Sequence, residues 1–155
     1  MKKLYWFIFI LVIALTLGCA SRLNENSPAY IKKVAAYKEA LDGLMIYFIL
    51  ADQSGAMTTS DGEGKIKILE VYPDRAPGPA SEFILYSAKF TPKKELFERA
   101  RVGRGAFDHE AILLSLGRVP YSEFPLKPKS KYGKVQIDFQ RPDGKILKGE
   151  AEITF

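Results

Sequence analysis

The chain has 155 residues, with 23 Lys and Arg against 18 Asp and Glu, a formal net charge of +5. So mild an excess gives no support to nucleic-acid binding, and a single cysteine excludes an internal disulfide. Nine prolines, twelve glycines and eighteen Phe and Tyr residues, with short apolar runs between turn signals, predict an all-β domain. Neither a solenoid-type repeat nor a low-complexity tract is present.

At the N-terminus Met1-Lys2-Lys3 precedes an uncharged apolar run, Leu4 to Leu17, and then Gly18-Cys19. As a helix that run is about 21 Å long, short of the roughly 30 Å of hydrocarbon it would have to span. A charged start, a short apolar stretch and a small residue before the break are the parts of a secretory signal. Leu15-Thr16-Leu17-Gly18-Cys19 resembles the lipobox of bacterial lipoproteins, departing from it at Thr16, where Leu is commonest. The resemblance covers the export segment and ends near Ser21. It implies a signal peptide over residues 1–18 and lipidation of Cys19 as the first mature residue. Acyl chains such as palmitate then hold the protein at the membrane, each buried methylene contributing about 0.8 kcal/mol. In that family an Asp after the cysteine usually marks retention at the inner membrane. Ala20 therefore implies the outer membrane, on its periplasmic or surface side, if the organism has two membranes. Loss of Lys2 and Lys3 with the leader lowers the formal charge from +5 to +3.

Residues 19–27 read as a polar tether, and residues 28–155 as one domain. Two readings fit the start of that domain. Ser27 as N-cap, Pro28 in the first turn and Gly43 as C-cap frame a helix with Ile31, Val34, Lys38 and Leu41 on one face. A first strand through Ile31 to Tyr37 is the other.

Leu44 to Ala51 is the strongest strand, apolar on both faces. Asp52 to Gly55 and Asp61 to Gly64 are turns around a short strand, Ala56 to Ser60. In the next strand, Lys65 to Tyr72, Ile66 and Ile68 point one way while Leu69 and Val71 take the other parity. That switch predicts a bulge or a buried second face near Leu69. Pro73 to Ser81 is a crossing loop. Phe83 to Phe90 resumes alternation, with Ile84, Tyr86, Ala88 and Phe90 on one face. Lys93 to Val102 suits a short helix or an exposed loop, Phe107 to Leu116 a strand, and Gly117 to Lys131 an irregular segment.

The C-terminal hairpin can be read in register. Arg141-Pro142-Asp143-Gly144-Lys145 suits a type I turn with Gly144 left-handed. Pairing Arg141 with Lys145 sets Phe139 against Leu147, Ile137 against Gly149 and Val135 against Ala151, all inward. On the other side Asp138 faces Lys148 and Lys134 faces Glu152. About seven strands with hairpin connections and one long crossing loop predict an antiparallel β-sandwich of the immunoglobulin or fibronectin III kind.

Few residues carry the pattern of a chemical site. Asp108-His109-Glu110 holds the only histidine, but a strand sends His109 to the opposite side from the two acids. Zinc sites normally draw on several His or Cys ligands, so no metal or other cofactor is expected. A Gly-x-Ser-x-Gly motif is absent, and catalysis is not expected. Asp52, Asp61, Glu63 and Asp74 sit in or beside turns, where Asp is ordinary turn chemistry. Lys93, Lys94, Arg99, Arg101 and Arg104 exceed Glu95 and Glu98 by three charges, which reads as a solvated surface. Met45, Tyr47 and Ile49 form the second apolar face of the central strand, and the simplest cover for it is the segment from Ser27 to Leu41.

The resulting expectation is a non-catalytic, membrane-anchored envelope lipoprotein that serves as an interaction or assembly module for another envelope protein. A carbohydrate- or small-molecule-binding module is the alternative. It requires an exposed aromatic platform, for which Tyr121, Phe124 and Tyr132 are the candidate ligand-binding residues.

Overall fold

Alternating apolar residues and turn signals give nine strands in a computed structural model that describes residues 27–39, 42–76, 78, 81–102 and 109–155. The leader, Cys19, the tether as far as Asn26, Arg104 and Asp108 lie outside the described residues. The strands are β1 (Tyr30–Glu39), β2 (Gly43–Ala51), β3 (Met57–Thr58), β4 (Glu63–Val71) and β5 (Glu82–Phe90), then β6 (Glu98–Val102), β7 (His109–Pro120), β8 (Tyr132–Gln140) and β9 (Ile146–Thr154). The first sheet runs β1-β2-β7-β6, with β3 paired to the end of β2; the second runs β5-β4-β8-β9. Every pairing is antiparallel. This is the strand order of an immunoglobulin-like sandwich, the chain crossing between sheets from β3 to β4, from β5 to β6 and from β7 to β8. The sandwich is therefore the one expected, with β1 and β6 as strands the turn pattern did not settle.

Between the sheets the core is made by strand positions of one parity. Leu44, Ile46, Phe48 and Leu50 of β2 meet Ile66 and Ile68 of β4 and Val135, Ile137 and Phe139 of β8. The Phe48 ring touches three others, with centroids 5.9 Å from Phe90, 6.0 Å from Phe97 and 5.9 Å from Phe139. Each such side chain contributes about 1.5–3 kcal/mol through burial. β1 also closes one side of the sandwich. Ile31 and Val34 seat on β9 so tightly that a Cβ at Gly149 would lie 2.8 Å from a methyl of each.

Three bulges adjust this parity. Lys32 is the extra residue between β1 and β2, Leu116 between β7 and β2, and Leu85 between β5 and β4. The Leu85 bulge explains the switch expected near Leu69. It also corrects the face assigned to β5: Leu85 turns inward with Tyr86, Ala88 and Phe90, and Ile84 is exposed. Leu69 is buried on the outer side of its sheet. At Leu116–Gly117, where Gly117 has φ +77°, the bulge carries β7 on to Pro120, into a stretch expected to be irregular. The segment from Lys93 to Val102 is neither helix nor loop throughout. A single 3₁₀ turn, Lys94–Leu96, leads into β6, whose Ala100 and Val102 alternate with Arg99 and Arg101.

The C-terminal hairpin has the register expected, with Phe139 opposite Leu147, Ile137 opposite Gly149 and Val135 opposite Ala151. Its turn closes through Gly144 N–H to the Arg141 carbonyl at 2.9 Å, with Gly144 at φ +84°. One detail differs. Lys134 opposes Glu152 in the ladder, but its ammonium binds Glu82 at 3.1 Å and Glu150 at 3.6 Å, diagonal partners that its long side chain reaches.

Candidate interaction face

Two antiparallel sheets packed together leave two outer faces, and each should meet water. Most of the outer face of the second sheet does, Leu69 being the buried exception. Lys65, Lys67, Gln136, Asp138 and Lys148 line it, and Lys134 is held there by its two carboxylates. On the first sheet the outer face is apolar. Ile49, Val102, Ala111 and Leu113 form a buried cluster of their own, and Tyr47, Met57 and Ala100 pack against it. The Sδ of Met57 also accepts the Ile112 N–H at 3.4 Å, which fastens β3 across the gap between β2 and β7.

This face was expected to be covered by the segment from Ser27 to Leu41. That expectation is overturned. The segment pairs edge-on with β2, from Tyr30 opposite Ala51 to Glu39 opposite Gly43, and so widens the face. Alternation along β1 sends Lys33 and Tyr37 to the same side as Met45 and Tyr47. Tyr37 meets Tyr47 edge-on, with centroids 6.3 Å apart and an interplanar angle of 62°. Between these rings and β6 lies an open cleft of about 570 Å³, floored by Met45 and Leu113 and bounded by Lys33 and Glu98. Lys33 pairs with Ile49 and Glu98 with Leu113, so the two opposite charges stand on either flank of one apolar row. Burial first, then the neighbouring Tyr37, pushes the Tyr47 hydroxyl above its ordinary pKa. The apolar cluster itself is buried; what the face presents is the cleft, where Tyr37, Met45 and Tyr47 lie among Lys33, Glu98 and Arg101, a mixture of aromatic and charged groups that suits protein association.

The other sequence candidates have different environments. Tyr121, Phe124 and Tyr132 do not form a surface platform. Phe124 is buried, held by Tyr121 at 5.4 Å, Tyr86 at 6.1 Å and Phe155 at 6.3 Å, so it anchors the end of the core. Tyr132 is exposed, and the Lys131 ammonium lies 4.9 Å over its ring. His109 and Glu110 are exposed at the start of β7, opposite Val102 and Arg101, and alternation separates them. Among the described residues no three His, Cys, Asp or Glu side chains converge on a metal-sized site.

Turn chemistry accounts for two of the four loop acids. Asp52 Oδ1 accepts from the Ser54 N–H at 2.8 Å, the Ser54 hydroxyl at 2.6 Å and the Ala56 N–H at 3.0 Å. The Ser54 hydroxyl, ahead of the opposing effect of burial and helped by the amides, holds the Asp52 carboxyl below the usual range. Asp61 Oδ1 accepts the Lys94 N–H at 2.8 Å and so caps the turn before β6.

Tyr37, Ala100 and Val102 were not singled out from the sequence as parts of this face. The period-two pattern Glu98-x-Ala100-x-Val102 was the available signal for β6. Compared with family models, with curated proteins and with solved structures, the chain matches none.

Proposed function

We propose that the chain is a non-catalytic lipoprotein of the cell envelope, anchored through Cys19, that docks another envelope protein on the outer face of its first sheet. The observation that carries this reading is the inequality of the two outer faces: one mostly charged and solvated, the other built on a buried apolar cluster and opened by a cleft edged by Tyr37 and Tyr47. The lipobox resemblance supports the anchor. Pro28 enters the sandwich beside the β8–β9 turn, where the Arg141 guanidinium donates to its carbonyl at 2.7 Å. The eight residues from Ala20 to Ser27 reach at most roughly 28 Å when extended, so the domain works close to the membrane. Confinement to that layer raises the effective concentration of a membrane partner, and a modest apolar face then suffices. Arrangement of His109 and Glu110 on opposite sides of β7 supports the non-catalytic part of the reading.

The test is a photo-crosslinking residue placed at Tyr37 or at Lys67 of the full-length protein in its own cells. A discrete protein adduct from position 37 and none from position 67 is the expected result. Equal labelling from both faces, or none from position 37, rejects the face. Incorporation of labelled fatty acid, lost in Cys19→Ser, tests the anchor separately.

A further inference from the structure

The pole of the sandwich farthest from Pro28 holds a second cleft. β1 runs from Tyr30, beside Ala51, to Glu39, beside Gly43, so Asp42 lies about 30 Å from the point where the tether enters. There Tyr121 donates its N–H to the Asp42 carbonyl at 3.0 Å, and Phe155 donates its N–H to the Lys131 carbonyl at 2.9 Å. Between these anchors opens a cleft of about 620 Å³. Its apolar wall is Tyr121, Pro128 and Phe155; its rim is Lys127, Lys129 and Lys131.

The three lysines are exposed, while Pro128 and Ser130 between them are half-buried. The segment is held firmly. The buried Glu70 carboxylate accepts the Lys129 and Ser130 amides, and the Ser130 hydroxyl donates to the Val71 carbonyl at 2.7 Å. A pinned backbone removes the backbone share of the ordering cost on binding and leaves that of the lysine side chains.

Among the described residues no carboxylate forms an ion pair with any of the three ammonium groups. Glu70 is occupied by amides, and Asp42, the acid in the cleft wall, is paired with Arg118 at 2.6 Å. Three ammonium groups, one of them over the Tyr132 ring and one interacting with Glu70, give the rim a net positive charge. A bare oxyanion would fill little of the space, since clefts of about 300–1,000 Å³ accept ligands of drug size.

We infer that this cleft binds a phosphate monoester whose phosphate is held by Lys127, Lys129 and Lys131 and whose apolar body lies against Tyr121 and Phe155. Two sources carry that chemistry, a soluble phosphate ester and a lipid phosphate.

The experiment is calorimetric titration of the full-length protein in a detergent with an uncharged sugar headgroup. The probes are phenyl phosphate, inorganic phosphate and dihexanoyl phosphatidic acid. Saturable binding of an organic phosphate, at least about tenfold tighter than inorganic phosphate, is expected. Lys127→Gln/Lys129→Gln/Lys131→Gln should weaken it about tenfold or more, while Lys65→Gln/Lys67→Gln/Lys89→Gln on the second sheet should leave it intact. Tighter binding of phenyl phosphate assigns a soluble ester, and tighter binding of the phosphatidic acid assigns a lipid; both uphold the site. No saturable binding, no preference over inorganic phosphate, or equal loss in the two triple variants overturns it. Single Lys127→Gln and Lys131→Gln variants, which leave the Glu70 clasp untouched, replace the triple variant if it melts early.

Discussion

Glu70 offers a sharp test of how the far pole is held together. Its carboxylate is buried, and it accepts the Lys129 and Ser130 amides on one oxygen and the Tyr72 hydroxyl on the other, at 3.0 Å. Glu70→Gln keeps an acceptor for the amides and removes the charge. Bonds to charged acceptors are worth about 1.5–3 kcal/mol and neutral ones about 1 kcal/mol, so the two amide bonds together lose about 1–4 kcal/mol. Glu70→Ala strands both amides and should cost more, about 2–5 kcal/mol. Burial pushes the carboxyl pKa up, but the Ser130 and Lys129 amides, the Tyr72 hydroxyl and the Lys129 charge together lower it below its ordinary value. A carboxyl depressed in the folded state stabilises fully above its unfolded value, near 4.5, and that contribution fades as pH falls through the lower folded value. The gap between wild type and Glu70→Gln should therefore be widest at neutral pH and shrink below pH 4. Urea unfolding followed by circular dichroism reads it: with a slope of about 1–3 kcal/mol/M, the midpoint falls by roughly 1 M. Equal midpoints for wild type and Glu70→Gln at pH 7 would refute the clasp.

Three further substitutions probe the rest of the fold. Phe139→Ala, at a fully buried ring packed on Phe48, should lose about 3–5 kcal/mol in the same assay, whereas Gln140→Ala should lose little; matching losses would misplace the inward face of β8. Gly149→Ala should lose about 1–3 kcal/mol, because its new methyl meets Ile31 and Val34 at 2.8 Å, and a stabilised variant would mean that β1 does not press on β9. His109→Ala, on an exposed strand residue, should move stability by no more than about 0.5 kcal/mol and leave the crosslinking pattern unchanged. A folded His109→Ala protein without function would remove the non-catalytic reading.

Legibility in the sequence followed the regularity of the backbone. The β8–β9 hairpin could be read residue by residue because nothing interrupts its period of two and Asp143-Gly144 admits few turns. β1 stayed undecided between helix and strand because its bulge at Lys32 brings Ile31 and Val34 to one side, an i, i+3 spacing that imitates a helix. The Leu85 bulge misled in the same way, shifting Ile84 to the outside of β5. β6 was obscured by composition, since the apolar residues it sets on the outer face are as small as Ala100 and their neighbours are arginines. The apolar second face of β2 was visible at Met45, Tyr47 and Ile49. Its neighbours across the sheet were not, because pairing between β1, β2, β7 and β6 is set by sandwich topology rather than by any local run.

The direction in which β1 leaves the domain has a mechanical consequence. From Ser27 the strand runs into the sandwich antiparallel to β2 along nearly its whole length. A pull on Ser27 directed away from the domain therefore acts along the strand axis. The β1–β2 hydrogen bonds, and the seat of Ile31 and Val34 on Gly149, are loaded together in shear and do not peel one at a time. A domain tugged by its tether in this geometry would resist extension far better than one gripped across the strand, at the Asp42 turn.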